Sequence, residues 1–111
     1  MRAGDVVRVD FGIPAGSEPG FERPAVIVTA DGVLGHHPRT IHVVPVTSNV
    51  GRALPTEVAL SAPRLPIASA AQCHLCTVVS IERLNGDEYG NVGAAALAQL
   101  LSVLADLLDI G

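Results

Sequence analysis

Arg23 is the residue whose position and chemistry point most directly to a phosphate ligand. It follows a loop dense in glycine and proline, residues 12–20, and opens the most apolar strand-like run, residues 24–29. A guanidinium held at the mouth of a rigid strand can meet a phosphate with two parallel hydrogen bonds in the same place each time. Taken alone, an arginine in this position is also compatible with an ordinary solvated or salt-bridged strand end.

Two hydroxyls and an amide, Thr47, Ser48 and Asn49, stand where another β-branched run, residues 40–46, breaks into a loop. Hydroxyl groups at such a point can bond the non-bridging oxygens of a phosphodiester or orient an attacking hydroxyl. The same residue types are common in ordinary turns, where they bond their own backbone. Beside Arg23, these groups would complete a site for phosphodiester chemistry.

A Cys-His-Leu-Cys motif, residues 73–76, raises the question of metal or redox chemistry. A CxxC pair can be redox active or can supply half of a structural zinc site, which needs four ligands. The chain has no second Cys or His pair at a matching spacing. We therefore expect no metal or other cofactor, and we expect Cys73 and Cys76 to be small, buried side chains on a strand.

The elements that must position these residues are short strands. Residues 5–11 alternate with a period of two, which predicts one buried face, whereas residues 24–29 are apolar throughout, as in a strand covered on both faces. Further strands are predicted over residues 40–46, 56–61, 67–74 and 77–81, with a turn at residues 85–87.

A change of period marks the end of the chain. Leucines recur at intervals of three and four from Leu97 to Leu108, which predicts an amphipathic helix with Asn91 as its cap. Five or six strands, tight turns and a closing helix predict a mainly β fold, a small and partly closed antiparallel β-barrel with a C-terminal helix.

Length and charge limit the remaining possibilities. The 111 residues suffice for one domain, 1–111, and the absence of a signal-like or membrane-spanning run predicts a cytoplasmic protein. A net charge of −4 is unusual for a nucleic-acid-binding protein. The acidic excess lies in residues 82–111, however, and the chain has no lysine, so every permanent side-chain cation is an arginine, whose planar group suits phosphate.

Three motifs, taken in order, resemble the MazF/PemK family of toxin–antitoxin ribonucleases. They are Gly16-Ser17-Glu18-Pro19-Gly20, Arg23-Pro24-Ala25-Val26 and Pro45-Val46-Thr47-Ser48-Asn49. Residues 4–11 and the leucine-rich end are similar to the family's first strand and terminal helix, so the resemblance runs from about residue 3 to residue 110. It implies an SH3-like barrel and a homodimeric toxin of a type II toxin–antitoxin system. The implied activity is sequence-specific cleavage of single-stranded RNA, either mRNA or a tRNA loop.

The resemblance also implies roles for individual residues. Family members use no metal, and the ribose 2′-OH attacks the adjacent phosphorus. Arg23 is then the principal catalytic residue, Thr47 holds the phosphate or the nucleophile, and Glu18 is a base or an anchor of its loop. Contacts with RNA are expected from Ser17, Phe21, Ser48, Asn49 and His74, with Phe21 the best residue for base stacking.

The chain departs from the family in its fifth strand. Many relatives carry an acid–Gln–x–Arg/Lys–Ser/Thr pattern where this chain has Cys73-His74-Leu75-Cys76-Thr77. Histidine can accept a proton near neutral pH, so His74 is either a replacement base or a strand histidine without a catalytic role. The general base is therefore open between Glu18, His74 and another group, and the departure is expected to change which RNA is cut.

Two other functional classes fit the same fold. A CcdB-like toxin would bind DNA gyrase and cleave nothing, and a catalytically inactive SH3-like barrel would serve as an interaction module. The paired Arg23 and Thr47 motifs favour the ribonuclease, because a protein-binding toxin does not need them. The resemblance further implies a cognate MazE-like antitoxin, whose disordered tail would occupy the RNA groove.

Overall fold

The structure, a computed structural model, describes residues 1–52 and 54–110, with Arg52 described by its backbone alone. The strands in this part of the chain are β1 (Asp5–Asp10), β2 (Glu22–Ile27), β3 (Thr40–Thr47), β4 (Glu57–Leu60), β5 (Ser69–Gln72), β6 (Thr77–Ser80) and β7 (Leu84–Asn91). The helices are α1 (Asp31–Leu34) and α2 (Ala94–Leu108), and short 3-10 turns span Val50–Arg52, Cys73–Leu75 and Ile81–Arg83.

The strands form one antiparallel sheet in the order β4-β5-β3-β2-β1-β7, with β6 pairing to β3 as well. β3 organises this sheet. Its residues 40–43 pair with β6 and its residues 46–47 pair with β5, while its other edge bonds β2. The predicted mainly β fold with a C-terminal helix is confirmed, and the sheet path, which runs from β4 to β7, does not close on itself.

The two faces of β1 and β2 pack into two separate cores. Val6 and Val26 lie in one cluster with Leu100 of α2, whereas Ala25 and Ile27 lie in the other. β2 is therefore covered on both faces, as its uninterrupted apolar run predicts. Each fully buried aliphatic side chain of this size stabilises the fold by about 1.5–3 kcal/mol, so β2 is a rigid support for the residue at its open end.

β7 is the strand that the sequence does not predict. Residues 85–87, predicted to be a turn, lie within it. Two register shifts interrupt its pairing with β1 and remove the alternation by which strands are recognised. None of its residues is buried and half are exposed, so no apolar face marks it either. The four-residue helix α1 is likewise absent from the predicted elements.

Helix α2 covers the leucine-rich segment as predicted, but its N-cap is Gly93, so the prediction that Asn91 caps it is wrong. Asn91 instead ends β7 and ties it to β1. Its amide nitrogen donates to the Ala3 carbonyl at 3.1 Å and to the Asp5 carboxylate at 3.0 Å, while its side-chain oxygen accepts the Gly93 N–H. Within residues 1–52 and 54–110, no helix combines the length and apolar character needed to cross a membrane.

Candidate active site

Arg23 is the second residue of β2, at the end where the β1–β2 loop enters the sheet. Its half-buried guanidinium donates from Nη2 to Gln72 Oε1 at 3.0 Å and to the Val46 carbonyl at 3.3 Å. Burial lowers the pKa of Arg23 from the ordinary value of an arginine, yet a guanidinium keeps its charge at neutral pH. Arg23 is thus a fixed cation held by two neutral oxygens.

Thr47 ends β3, the strand next to Arg23. The pairing of these strands joins Ala25 to Pro45, and continuing this register by two residues sets Thr47 opposite Arg23. Both residues, together with Ser48, line a pocket of about 300 Å³, which we call the Arg23 pocket. The structure therefore brings three of the predicted site residues to one cavity within a single protomer.

The loop after β3 orients the Thr47 hydroxyl. Its Oγ1 accepts the backbone N–H of Asn49 at 3.1 Å, which leaves the hydroxyl proton free to be donated elsewhere. The Asn49 side chain is exposed and does not line the pocket, whose apolar wall is formed by Leu65, Pro66 and Ile67. A cation and a hydroxyl donor thus line one cavity, where both could bond the same phosphate group.

Glu18 lies in the β1–β2 loop, outside the Arg23 pocket. Its Oε1 accepts the Ala15 N–H at 3.0 Å, and it lines a separate pocket of about 210 Å³ with Thr77 and Arg83. Ser17 beside it is exposed. The structure therefore does not bring these two predicted residues to the cavity that holds Thr47, and the Ala15 contact is what a loop anchor would make.

Phe21 closes the β1–β2 loop two residues before Arg23. Its φ is 59°, a left-handed conformation that costs a residue with a side chain about 1–2 kcal/mol. Two backbone hydrogen bonds hold it there: its N–H donates to Gly12 at 2.6 Å and its carbonyl accepts from Phe11 at 2.9 Å. Its side chain is left 68% exposed, so an aromatic face lies in solvent two residues before Arg23 in the chain.

His74 does not lie on the strand predicted for it, and it does not line the Arg23 pocket. The fifth strand ends at Gln72, and His74 sits in the 3-10 turn that follows, with its Nδ1 2.8 Å from Thr56 Oγ1. It lines an apolar groove of about 760 Å³ with Leu104 and Leu107 of α2. This position gives His74 no contact with the pocket of Thr47 and Arg23.

Cys73 and Cys76 are free thiols at this same turn, and the prediction that they lie on a strand is wrong. Cys73 is 1% exposed, as expected of a core side chain. Burial, and then the neighbouring Cys76, raises the pKa of Cys73 to about 11, and burial also raises the pKa of Cys76. Reactive cysteines have lowered pKa values instead. No three His, Cys, Asp or Glu side chains in the described ranges form a group able to hold a metal ion.

Gln72 is the site residue that the sequence prediction missed. It ends β5, is 7% exposed, and accepts the hydrogen bond from Arg23. Its signal in the sequence is weak, a single amide at the end of the small-residue run Ser-Ala-Ala-Gln. The pairing of β3 with both β2 and β5 places it beside Arg23, and nothing in the sequence reports that pairing.

Comparison with known proteins shows the family. Residues 2–108 match the sequence profile of a family described as the PemK-like, MazF-like toxin of type II toxin-antitoxin system. The chain is 39% identical over 116 residues to Endoribonuclease MazF9 of Mycobacterium tuberculosis (strain ATCC 25618 / H37Rv), covering 99% of this chain and 98% of that protein. The resemblance carried by the three motifs is thereby confirmed.

Solved structures share the fold. The crystal structure of MazF (Form-I) from Deinococcus radiodurans superposes with a TM-score of 0.83 at 26% identity, covering 98% of this chain and 96% of that one. An endoribonuclease in complex with its cognate antitoxin from Mycobacterial species superposes with a TM-score of 0.78 at 24% identity, covering 100% and 97% of the two chains. None of these matches favours a gyrase-binding toxin. The chain belongs to the PemK/MazF family of toxins of type II toxin–antitoxin systems, and it is the homologue of an endoribonuclease.

Proposed function

We propose that residues 1–111 act as one toxin domain that cleaves single-stranded RNA as a sequence-specific endoribonuclease. The observation that carries the proposal is the shared pocket of Arg23 and Thr47, where a fixed guanidinium and an oriented hydroxyl can hold a single phosphodiester. The homology to Endoribonuclease MazF9 supports the same activity. The RNA would be an mRNA or a tRNA loop.

The proposed reaction is an internal transfer at phosphorus. The ribose 2′-oxygen forms a bond to the adjacent phosphorus, and the bond from phosphorus to the 5′-oxygen of the next nucleotide breaks. The proton of the 2′-OH passes to a base and the leaving 5′-oxygen takes up a proton. The products are a 2′,3′-cyclic phosphate, or a 3′-phosphate after hydrolysis, and a 5′-OH.

Arg23 would stabilise the charge that builds up on the phosphorane, and Thr47 would hold the phosphate or the nucleophile. Preorganised charge of this kind is typically worth a factor of about 10²–10³ in rate. We propose Glu18 as the anchor of the β1–β2 loop, supported by its hydrogen bond from Ala15, and it remains a candidate base only if that loop moves toward the Arg23 pocket.

RNA contacts are proposed on the surface that surrounds the Arg23 pocket. Ser48 lines the pocket itself, and Ser17, Phe21 and Asn49 are exposed in the two loops that lead to it. The exposed ring of Phe21 is suited to stacking on a base, which is tolerant of sequence. His74, held by Thr56 beside the apolar groove, would reach RNA only at a nucleotide outside this pocket.

The protein is also proposed to act in the cytoplasm, as a homodimer, with a cognate MazE-like antitoxin as its partner. The solved complex of a related fold with its cognate antitoxin supports the last point. Exposed aliphatic side chains on α2, Leu101, Leu107 and Leu108, support self-association, because a monomer would leave them in water. Light scattering on the purified toxin is expected to give twice the chain mass, and the single chain mass would contradict the dimer.

Incubation of the purified protein with total RNA in EDTA tests the activity. Wild type should cleave and Arg23→Ala should lose a factor of about 10²–10³ in rate. Arg39→Ala, which removes an exposed arginine, is the matched control and should cleave like wild type. Intact RNA together with inhibited DNA supercoiling would support a gyrase-binding toxin instead, and equal cleavage by Arg23→Ala would contradict the assigned site.

A further inference from the structure

The hydrogen bond from Arg23 to Gln72 joins β2 to β5 across the intervening strand β3. We propose that Gln72 is a positioning residue, which fixes the Arg23 guanidinium by a neutral acceptor and so leaves its charge to the scissile phosphate. The inference rests on the ribonuclease function proposed above. It adds a residue outside the three family motifs to the machinery.

Burial makes Gln72 a firm support. All four residues of β5 are buried, and its small neighbours Ala70 and Ala71 pair with Thr47 and Val46 of β3. Gln72 as a residue is 7% exposed, and a buried amide oxygen that lost its donor would be costly. The buried acceptor and the Arg23 Nη2 therefore restrain each other.

The contact also sets the direction of the guanidinium. Arg23 donates two hydrogen bonds from Nη2, one to Gln72 and one to the carbonyl of Val46, the residue before Thr47. Within the described part of the chain, the N–H groups on Nη1 and Nε make no hydrogen bond and remain for a ligand. A donor fixed before the substrate arrives needs no reorganisation in the transition state.

Neutrality of the acceptor is the second half of the inference. A carboxylate at position 72 would form an ion pair with Arg23 and offset the charge that a phosphate needs. Both oxygens bonded to Arg23 Nη2 are neutral, an amide and a backbone carbonyl, whereas Arg8 on the adjacent strand pairs with the carboxylate of Glu22 at 3.8 Å. An amide supplies the hydrogen bond without that competing charge.

Two substitutions at Gln72 separate these effects in a cleavage assay with a fluorogenic RNA in EDTA. Gln72→Met keeps the shape but removes the acceptor, and should lower kcat by about 10-fold or more with KM within about twofold of wild type. Gln72→Glu keeps the hydrogen-bond acceptor but forms an ion pair with Arg23, and should raise KM by about fivefold or more. Gln99→Met, the same change at an exposed glutamine of α2, should match wild type.

A double-mutant cycle tests whether Gln72 acts through Arg23. In the Arg23→Ala background, Gln72→Met should lower the residual rate by less than about twofold. A purely structural role predicts that Gln72→Glu is as active as wild type and that Gln72→Met has the same effect in both backgrounds, and either result would overturn the inference. Should Gln72→Met fail to fold, the KM of Gln72→Glu decides alone. Wild-type cleavage by Arg23→Ala would instead contradict the ribonuclease site itself.

Discussion

Arg8 and Arg23, which lie near the loop end of the β1–β2 pair, differ in what they contact. The hydrogen bond with Tyr89 raises the pKa of Arg8, which also pairs with the Glu22 carboxylate at 3.8 Å. Arg23 donates to two neutral oxygens, those of Gln72 and the Val46 carbonyl, and burial lowers its pKa. At the residue scale, the difference decides which guanidinium can serve a ligand, because a charge already offset by a carboxylate gains less from a phosphate.

Thr47 offers a test of the hydroxyl at this scale. Thr47→Val keeps the shape and removes the donor, and we expect kcat to fall by about 10-fold, the effect of one lost hydrogen bond. Thr47→Ser should restore most of the rate. Thr40→Val, at the exposed start of the same strand, is the control in the same single-turnover cleavage assay. Wild-type activity of Thr47→Val would remove the hydroxyl from the site.

The thiol of Cys73 predicts a pH dependence of stability. Its pKa is raised to about 11 in the folded state from an ordinary value of 9.0. Between those values the folded protein holds a proton that the unfolded chain has lost, so the free energy of unfolding should fall as pH rises from 9 to 11. The expected loss is about 2 kcal/mol, and it should be fully absent below pH 9.

Urea unfolding of wild type and Cys73→Ala between pH 8 and pH 11 measures this effect. The variant should lose less stability than wild type over this range, since the titrating thiol is gone. Parallel curves for the two proteins would show that burial does not hold this proton.

At the element scale, the three strands β1, β2 and β3 are the part of the fold that the sequence predicts well. Their alternation or continuous apolar character follows directly from the two buried faces. The approach of Arg23 to Thr47 also follows once the start of β2 is known to meet the end of β3. Gln72 could not be predicted, because its position depends on β3 dividing one edge between β5 and β6. β7 escaped prediction because bulges and exposed polar residues remove its pattern.

Two glycines of β7 provide a matched test of how tightly this strand is packed. Gly90 and Gly86 both have a positive φ, 102° and 92°. A Cβ at Gly90 would lie 2.5 Å from the Pro63 ring, whereas a Cβ at Gly86 would meet nothing within 4 Å. Both alanine substitutions carry the backbone cost of about 1–2 kcal/mol, and only Gly90→Ala adds overpacking of about 1–3 kcal/mol.

Urea midpoints of the two variants report the difference. Gly90→Ala should be the less stable by about 1–3 kcal/mol. Equal midpoints would mean that residue 63 moves freely and that the segment after β4 does not pack on β7 as the structure shows.

At the scale of the whole molecule, the acidic excess lies in one segment, residues 82–111. The chain carries a net charge of −4. Exposed Asp106 lies in the last turn of α2 and exposed Asp109 is the C-cap of that helix, where the helix dipole favours cations instead. RNA approaching the Arg23 pocket meets a field that this segment makes more negative. The toxin therefore depends on fixed local charge rather than on a basic surface.

Neutralising that segment should change association with RNA. For Asp106→Asn combined with Asp109→Asn, we expect a faster association rate, by a factor of about two to five at low ionic strength. In 0.5 M salt the electrostatic screening length is about 4 Å. The difference in association rate should therefore disappear. Stopped-flow binding of a 2′-deoxy-substituted RNA measures both. An equal gain at high and low salt would exclude a long-range electrostatic origin.

The most direct measurement of the central claim is a crystal structure of the protein with an RNA made uncleavable by a single 2′-deoxy substitution at the scissile nucleotide. We expect one phosphate in the Arg23 pocket, with both an Arg23 N–H and the Thr47 hydroxyl about 3 Å from its non-bridging oxygens. The deoxyribose carbon that lacks its hydroxyl should face the phosphorus. An RNA bound with these two side chains on different phosphates, or with no phosphate between them, would contradict the account.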